Sequence, residues 1–409
     1  MKRRALWLAV LVVAAAGAVW VVLAQRQPVE ARERIDPKIV EANTDFGFRL
    51  FKELVIEGGG KTNVLISPAS LSLALSMTYN GASGSTKDAM AKTLGYLGVS
   101  LDAVNAGNKA LLANLESPGE GIEISVANSL WARKNVEFKS EFMQRNRDFF
   151  GAEVSTLDLG DPAAKDTINS WVKDKTRGKV NGIVDQIDRD SVLFLVNAVY
   201  FKGIWSELFD RLETHDAQFT LANGDRKTVP MMSHSRSYEY LQGDGFKLIN
   251  LGYGKGRISM YVLLPAKGVS LSQFSKRLTP ENWAKWMKKI HGNRSELTLA
   301  LPKFRMETKS ELIEPLSALG MGAACDPRAD FSAMSPIGKP LYIERVTHKT
   351  FVDVNEDGTE AAAATGAEMM CSQALYMNTD MVVDHPFFFA IRDNMTGEML
   401  FVGSVAEPK

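Results

Sequence analysis

The chain has 409 residues, of which 45% are hydrophobic, so it is long enough to bury one large core or two ordinary ones. Its 48 basic and 48 acidic side chains give a formal net charge of zero, which excludes a whole-protein field that attracts nucleic acid or an anionic membrane. Two cysteines are too few for a disulfide scaffold or a multi-cysteine metal site.

The N-terminus combines a positive flank with an apolar run. A basic triplet at residues 2–4 precedes the uncharged residues 5–24, and the run ends in small and apolar residues suited to signal cleavage. The run is also long enough to cross a membrane. We therefore expect an exported protein, extracellular or periplasmic. Residues 1–24 would be a signal peptide or an N-terminal membrane anchor, and residues 25–36 a linker.

The rest of the chain, residues 37–409, contains both helical and strand patterns. Apolar residues recur at helical spacing from Asp45 to Glu57, and a short strand, a Ser-Pro break and an amphipathic helix follow. Later segments such as "SVLFLVNAVYFKG" and "ISMYVLLPA" have the apolar, β-branched and aromatic composition of buried strands. No Pro/Gly/Ser linker separates the helix-rich half from the strand-rich half, so the pattern predicts one α+β domain.

The sequence lacks the common motifs of enzymatic chemistry. "GASGS", residues 81–85, approaches the G-x-S-x-G nucleophile elbow but lacks its last glycine. No phosphate-binding loop, Rossmann glycine pattern or H-E-x-x-H motif occurs, and no two of the five histidines stand at metal-ligand spacing. We therefore predict no catalytic residues, no metal site and no cofactor.

A stretch near the C-terminus carries the strongest functional signal. "EDGTEAAAATG" resembles the hinge of the reactive centre loop of serpins, and "MVVDHPFFFAI" resembles the family's C-terminal signature. "NVLISPASLSLALSMTYNGA", "INSWVKDKTRGKV", "FLVNAVYFKGIW" and "LPKFRMETKSELIEPLSALGM" also occur in serpin order, over about residues 40–409. The chain is thus similar to the serpin family, and its N-terminus favours a prokaryotic exported or membrane-tethered member.

The resemblance implies a fold and a mechanism. The fold would have three β-sheets, about nine helices and an exposed reactive centre loop at about residues 356–381. A target protease would attack this loop and form a covalent acyl-enzyme, and the freed loop would insert into the central sheet as a new strand. The implied partner is a protease. The protein would be a monomer that binds neither nucleic acid nor a small-molecule cofactor.

The composition of the hinge fits insertion. A segment that moves from solvent into a sheet turns alternate side chains toward the core, where bulk or charge is costly. If the alternation begins at Thr359, the inward positions are Thr359, Ala361, Ala363, Thr365 and Ala367. The hinge as a whole comprises Glu356, Gly358, Thr359, Glu360, Ala361, Ala362, Ala363, Ala364 and Thr365.

Positions in the other motifs assign further roles through the resemblance. Ser67, Ser70, Asn197 and His348 correspond to the shutter, a polar cluster beneath the central strands that opens for insertion. Trp205 corresponds to the breach, near the point where insertion begins. A hydrogen-bonded imidazole would also satisfy an ordinary buried position, so for His348 the structural and functional interpretations agree.

The position of the scissile bond stays open. Counting from the hinge glutamate gives Ser372 and Gln373, and counting back from "DHPF" gives Leu375 and Tyr376, with Met370 and Cys371 as further alternatives. No Lys or Arg occurs from Thr359 to Asp384, which favours elastase-, subtilisin- or chymotrypsin-like targets over trypsin-like ones. An exposed thiol at Cys371 would make inhibition sensitive to oxidation, although cysteine also serves as a small apolar bait residue.

The sequence leaves one alternative function. A non-inhibitory serpin acting as a carrier or chaperone keeps the fold but not loop insertion, and it would carry bulky, charged or proline residues in the hinge. Residues 361–367 contain none. The sequence therefore favours a suicide inhibitor of serine proteases, with cysteine proteases as alternative targets.

Overall fold

The computed structural model describes residues 34–187, 191, 193–336, 341–359 and 381–409. The predicted signal or anchor segment, residues 1–24, lies outside the described residues. So do most of the predicted loop residues: Glu360, Ala361, Ala362, Ala363, Ala364, Thr365, Ala367, Met370, Cys371, Ser372, Gln373, Leu375 and Tyr376. Residues 35–409 form one compact unit.

The described part of the chain contains nine α-helices. Several begin at a capping residue followed by proline at the first helical position, as at Asp36, Ser67 and Thr279. The helices are α1 (Pro37–Glu57), α2 (Pro68–Tyr79), α3 (Gly84–Leu94), α4 (Leu101–Glu116), α5 (Ser140–Phe150), α6 (Ala163–Lys175), α7 (Leu271–Ser275), α8 (Pro280–Ile290) and α9 (Ile313–Ala318).

Most of the strands lie after residue 190, as the sequence pattern predicts. They are β1 (Val64–Ile66), β2 (Ile122–Arg133), β3 (Glu153–Leu157), β4 (Leu193–Ile204), β5 (His215–Thr220), β6 (Arg226–Gly243), β7 (Phe246–Tyr253), β8 (Ile258–Pro265), β9 (Arg294–Pro302), β10 (Phe304–Glu311), β11 (Arg345–Asn355), β12 (Gly358–Thr359), β13 (Met381–Val382), β14 (Phe387–Asp393) and β15 (Met399–Val405). Short 3₁₀ turns occupy Arg211–Glu213 and Met321–Ala324.

The central sheet has the strand order β10-β11-β12-β4-β2-β3. Strands β4 and β11 pair in parallel over seven residue pairs, from Phe194 opposite Arg345 to Tyr200 opposite Phe351. Beyond that stretch the two strands separate. The two-residue strand β12 lies between them and pairs antiparallel with both.

The remaining strands form two further sheets that share β6. The first part of β6 pairs with β5 and β9, and its last four residues pair with β7. From β7 the sheet continues through β8, β14 and β15 to β1, and β13 extends the other part beside β9. The expected α+β fold of three sheets and about nine helices is confirmed.

Helix α2 runs through the middle of the core. All of its residues, Pro68 to Tyr79, are buried, and it packs against β4 and β15. The sequence pattern predicts an amphipathic helix here, but the structure buries all of its sides, including the small hydroxyl side chains of Ser70, Ser72, Ser76 and Thr78. This placement brings the N-terminus of α2, with Ser67 and Ser70, directly beneath the central sheet. A smaller apolar cluster that includes Ile168 and Val172 packs α6 against the sheet.

Candidate functional site

The four predicted shutter residues lie together. His348 on β11 stands directly opposite Asn197 on β4, and its Nδ1 lies 2.5 Å from Asn197 Oδ1. The other ring nitrogen, Nε2, accepts a hydrogen bond of 3.0 Å from the backbone N–H of Ser67. The two central strands and the start of α2 are therefore joined through one imidazole.

The amide of Asn197 extends the cluster to a third strand. Its Nδ2 donates to Ser70 Oγ at 2.6 Å and to Asn128 Oδ1 on β2 at 2.5 Å. Ser67 also caps α2, because its Oγ accepts from the N–H of Ser70. All these side chains are buried. Asn128 was not singled out from the sequence, although it stands in "EISVANSLWA", a segment with the composition of a buried strand.

The imidazole of His348 is neutral. Burial lowers its pKa to about 3, and the hydrogen bond with Asn197 only partly offsets this. Because Nε2 accepts from a backbone N–H, the single proton lies on Nδ1 and is donated to Asn197. A second proton would remove the acceptor that Ser67 needs. The cluster is therefore satisfied only while His348 is uncharged.

The predicted breach residue, Trp205, lies at the other end of β4 and holds the start of the hinge. Its indole Nε1 donates to the carbonyl of Asn355 at 2.9 Å, and its backbone N–H donates to the carbonyl of Asp357 at 3.0 Å. The indole also stacks on the ring of Tyr253, with centroids 4.4 Å apart. Tyr253 Oη in turn lies 2.6 Å from Thr359 Oγ1.

The strand β12 fills the space between the parted strands. Thr359 pairs with Gly203 on β4 and with Val354 on β11, and it is fully buried. Gly358 precedes it with a φ of +147°, and a Cβ on this residue would lie 2.0 Å from the carbonyl oxygen of Gly203. Only glycine fits this approach.

Two acidic residues anchor the chain just before β12. Glu356 accepts from Lys303 Nζ at 2.9 Å and from Thr214 Oγ1 at 2.9 Å. Burial by itself raises the pKa of Glu356, but these contacts outweigh it and hold the pKa below its ordinary value. Asp357 forms an ion pair with Arg211. The hinge is thus fixed by charge as well as by backbone pairing.

The described residues therefore form two clusters along the boundary between β4 and β11. The shutter cluster consists of Ser67, Ser70, Asn197 and His348, and the breach cluster consists of Trp205, Tyr253, Glu356, Gly358 and Thr359. The family model described as Serpin (serine protease inhibitor) matches residues 41–408.

The chain belongs to the serpin family.

Relatives and solved structures agree with this membership. The leukocyte elastase inhibitor of Bos taurus is 36% identical over 380 residues, which cover 90% of this chain and 98% of the relative. The crystal structure of human glycosylated kallistatin is 29% identical with a TM-score of 0.84, covering 91% and 99% of the two chains. Human thyroxine-binding globulin with bound thyroxine is 27% identical, with the same TM-score and the same coverage.

The predicted location of this serpin is wrong. Several of the relatives that it matches are mammalian leukocyte elastase inhibitors, which point away from an exported, extracellular, periplasmic or membrane-anchored protein. These relatives do not support a prokaryotic exported member. The prediction rested on the hydropathy and flanking charge of residues 5–24, which describe the segment but not the route of the protein. No helix in the described residues is long and apolar enough to span a membrane.

Sequence reasoning missed several contacts of the serpin's breach cluster. Tyr253 stands in "GYGKG", a segment that shows only a turn, and nothing local indicates that its ring reaches Thr359. Lys303 belongs to the motif "LPKF" but received no role. Arg211 lies in a loop with no recognisable pattern. Only the three-dimensional pairing of distant segments identifies these residues.

Proposed function

We propose that this serpin is a suicide-substrate inhibitor of serine proteases, with cysteine proteases as alternative targets. The observation that carries the proposal is β12, because the first two strand residues of the hinge already lie between β4 and β11. The residues that follow, from Ala361 to Ala367, are small enough to continue in the same direction. The family relationship supports a protease as the partner.

The proposed reaction begins at the scissile bond of the reactive centre loop. The protease nucleophile attacks the carbonyl carbon, the C–N bond breaks, and the new amine remains on the downstream segment while the upstream segment becomes an ester or thioester of the enzyme. The downstream segment stays attached to the body without a covalent bond, because β14 pairs with β8 and β15 pairs with β1. The upstream segment is then free to insert behind β12 and to carry the protease with it.

Insertion supplies the driving force for trapping. About 12 inserted residues, each gaining ladder hydrogen bonds on both sides at a net 0.5 to 1.5 kcal/mol, would release on the order of 10 kcal/mol. This is comparable with the stability of a whole domain. The uncleaved state is therefore metastable and persists for kinetic reasons.

The loop sequence and the relatives support an elastase-like target, with subtilisin- and chymotrypsin-like proteases as alternatives. The absence of Lys and Arg from Thr359 to Asp384 removes the side chains that trypsin-like enzymes prefer. The bond would lie at Ser372–Gln373, with Met370, Cys371, Leu375 and Tyr376 as the other candidates.

The test is to incubate the protein with elastase, subtilisin, chymotrypsin and trypsin, and to analyse the products on denaturing gels. We expect a denaturant-stable complex with at least one of the first three and none with trypsin. Mass spectrometry of the C-terminal fragment then identifies the scissile bond. Clean cleavage by all four proteases without a complex, and without a rise in melting temperature after cleavage, would contradict inhibition.

One cleft favours the alternative of a carrier. A cavity of about 600 Å³ beside the breach is lined by Trp205, Tyr238 and Tyr261 among other residues. Asn250 and Arg392 also line it and make it partly polar. The similar structure of thyroxine-binding globulin holds thyroxine. If the protein is a carrier, titration with thyroxine should quench its tryptophan fluorescence, and the protein should form no complex with a protease.

A further inference from the structure

The residue before β12 is held at three points. The carbonyl of Asp357 accepts from the N–H of Trp205, and its own N–H donates to Asn355 Oδ1 at 3.0 Å. Its carboxylate, of which 12% is exposed, pairs with the guanidinium of Arg211. The next two residues, Gly358 and Thr359, are the inserted strand. The position of Asp357 therefore decides where the strand begins.

Arg211 reaches the hinge from the loop that leaves β4. It opens the 3₁₀ turn Arg211–Glu213, and the turn is fixed by Asp210, whose carboxylate accepts from the N–H of Leu212 at 2.9 Å. The same loop begins at Trp205. Arg211 and Trp205 therefore both bind Asp357 from the β4 side of the boundary, through an ion pair and a backbone hydrogen bond.

Glu356 is held from both sides, because Thr214 and the N–H of Phe209 in the loop that leaves β4 donate to it and Lys303 pairs with it from the other side. Its partner Lys303 lies between β9 and β10, and β10 is the neighbour of β11 in the central sheet. The two consecutive acidic residues are thus paired with cations on the two sides of the parted strands. Together the two ion pairs hold the start of the hinge across the space that the loop enters.

We propose that Arg211 is a positioning residue that keeps the hinge seated as the first part of the inserting strand, and so raises the fraction of protease that is trapped. This proposal rests on the proposed inhibitory function. After cleavage, insertion of the loop competes with hydrolysis of the acyl-enzyme. A new strand loses conformational entropy before its first residues gain ladder hydrogen bonds. When β12 is already in place, each residue added to it gains ladder hydrogen bonds at once.

The test compares the purified full chain with the variants Arg211→Gln, Asp357→Asn and their double mutant, against a protease that the unmodified protein traps. We expect each single variant to raise the stoichiometry of inhibition by about threefold, the factor expected from a part-exposed ion pair. The stoichiometry of inhibition of the double mutant should be no higher than that of either single variant, because each single substitution already removes the same ion pair. Arg211→Lys, which keeps the charge, should recover most of the loss.

Glu207→Gln is the matched control. Glu207 lies on the same loop and pairs with Arg236, which is not part of the hinge. Its removal should leave the stoichiometry unchanged. An equal rise in Glu207→Gln and Arg211→Gln would overturn the proposal, because the effect would then come from general loosening of the loop.

Hydrogen exchange of the peptide that covers residues 356–359 gives a second readout that needs no protease. In Arg211→Gln, the backbone amide hydrogens of this segment should exchange several times faster than in the unmodified protein. The exchange rates in β7 and β8 should stay the same. Unchanged exchange at 356–359 would overturn the proposal even if the stoichiometry changed. Faster exchange in a protein that traps no protease would instead contradict the proposed function and leave the positioning role intact.

Discussion

The breach cluster and the shutter cluster lie on the same two strands but in opposite states. At the breach, β4 and β11 are already parted, and β12 occupies the space between them. At the shutter, the same strands pair directly, and His348 ties one to the other through Asn197. The same two strands are therefore parted at one end and paired at the other.

The two clusters also use different chemistry. The breach cluster is held by ion pairs whose cations, Lys303 and Arg211, are partly exposed, and by a ring stack next to Thr359. The shutter cluster is a buried network of neutral hydrogen bonds. Low local dielectric strengthens such a network and makes each broken bond expensive. We infer that the breach sets where insertion starts and that the shutter sets how hard it is to continue.

The largest expected effect comes from a charge at the seated position of the breach. Thr359→Arg places a cation where the native side chain is fully buried beside Tyr253, and an unpaired buried charge is strongly unfavourable. We expect β12 to leave the sheet and the inhibitor to become a substrate, with loss of the covalent complex on denaturing gels. Thr359→Ser, which keeps the hydroxyl, is the control and should still trap the protease. Complex formation by the arginine variant would show that seating is irrelevant.

The second effect is the removal of the link between the strands at the shutter. His348→Ala leaves the N–H of Ser67 and the Oδ1 of Asn197 without their partner, and it leaves a cavity. The free energy of unfolding should fall by about 3 kcal/mol. Urea denaturation measures it. A loss well below 1 kcal/mol would indicate that the strands are held by backbone pairing alone, and the contrast with the breach would disappear.

The shutter cluster and the breach cluster should lose their contributions to the free energy of unfolding in different pH ranges. The pKa of His348 is about 3 in the folded protein and near 6.5 in the unfolded chain, so its contribution is complete above pH 6.5 and is lost as the pH falls toward 3. Each pH unit below 6.5 costs about 1.4 kcal/mol, or about 2 kcal/mol at pH 5. Glu356 has a lowered pKa, so its contribution declines only below its ordinary value of 4.5.

Glu398, whose pKa burial raises to about 8, acts in the opposite direction over the same range. The part of the stability change between pH 7 and 5 that His348→Gln removes therefore reports on the shutter and not on the ion pairs of the breach. His234, whose pKa burial lowers to about 4, adds to the loss in the same range. The variant His348→Gln cannot titrate at this position and is the necessary comparison. An equally steep pH dependence in this variant would assign the loss to His234.

The smallest expected effect is a methyl group at Gly358. Gly358→Ala introduces a Cβ against the carbonyl of Gly203 and strains the backbone by about 1 to 3 kcal/mol. The hinge can relieve this strain by leaving the sheet, so global stability should change by less than that amount. Hydrogen exchange at Thr359 should increase, while exchange in the part of β11 that pairs with β4, residues 345–351, stays constant. Faster exchange at His348 would mean that the two clusters are not independent.

The sequence predicted the architecture because strand and helix patterns are local, and the family resemblance predicted which residues belong to the shutter. "SVLFLVNAVYFKG" and "KTFVDVN" have the composition of buried strands and form β4 and part of β11. Asn197 lies within the first segment and His348 immediately precedes the second, and their positions on neighbouring strands follow from the family resemblance. Their roles in opening the sheet stay predictions.

Other features could not be predicted because they depend on distant pairing. The longest strand, β6, was not predicted, since its polar middle around Ser233 to Ser237 does not alternate like a half-buried strand. The contact between Tyr253 and Thr359 spans 106 residues, and the pair Arg211–Asp357 spans 146. No local pattern indicates either contact.

The orientation of β12 has a consequence for the geometry of the whole sheet. Strands β4 and β11 meet in parallel, with slanted hydrogen bonds that are slightly weaker per residue than antiparallel ones. Thr359 lies between β4 and β11 and pairs antiparallel with each, so two antiparallel pairings stand where the two strands would otherwise meet in parallel. Every further residue inserted in this direction would repeat the exchange. The strand order thus contains a mismatch in strand polarity at its centre, which an antiparallel strand extended from β12 would remove.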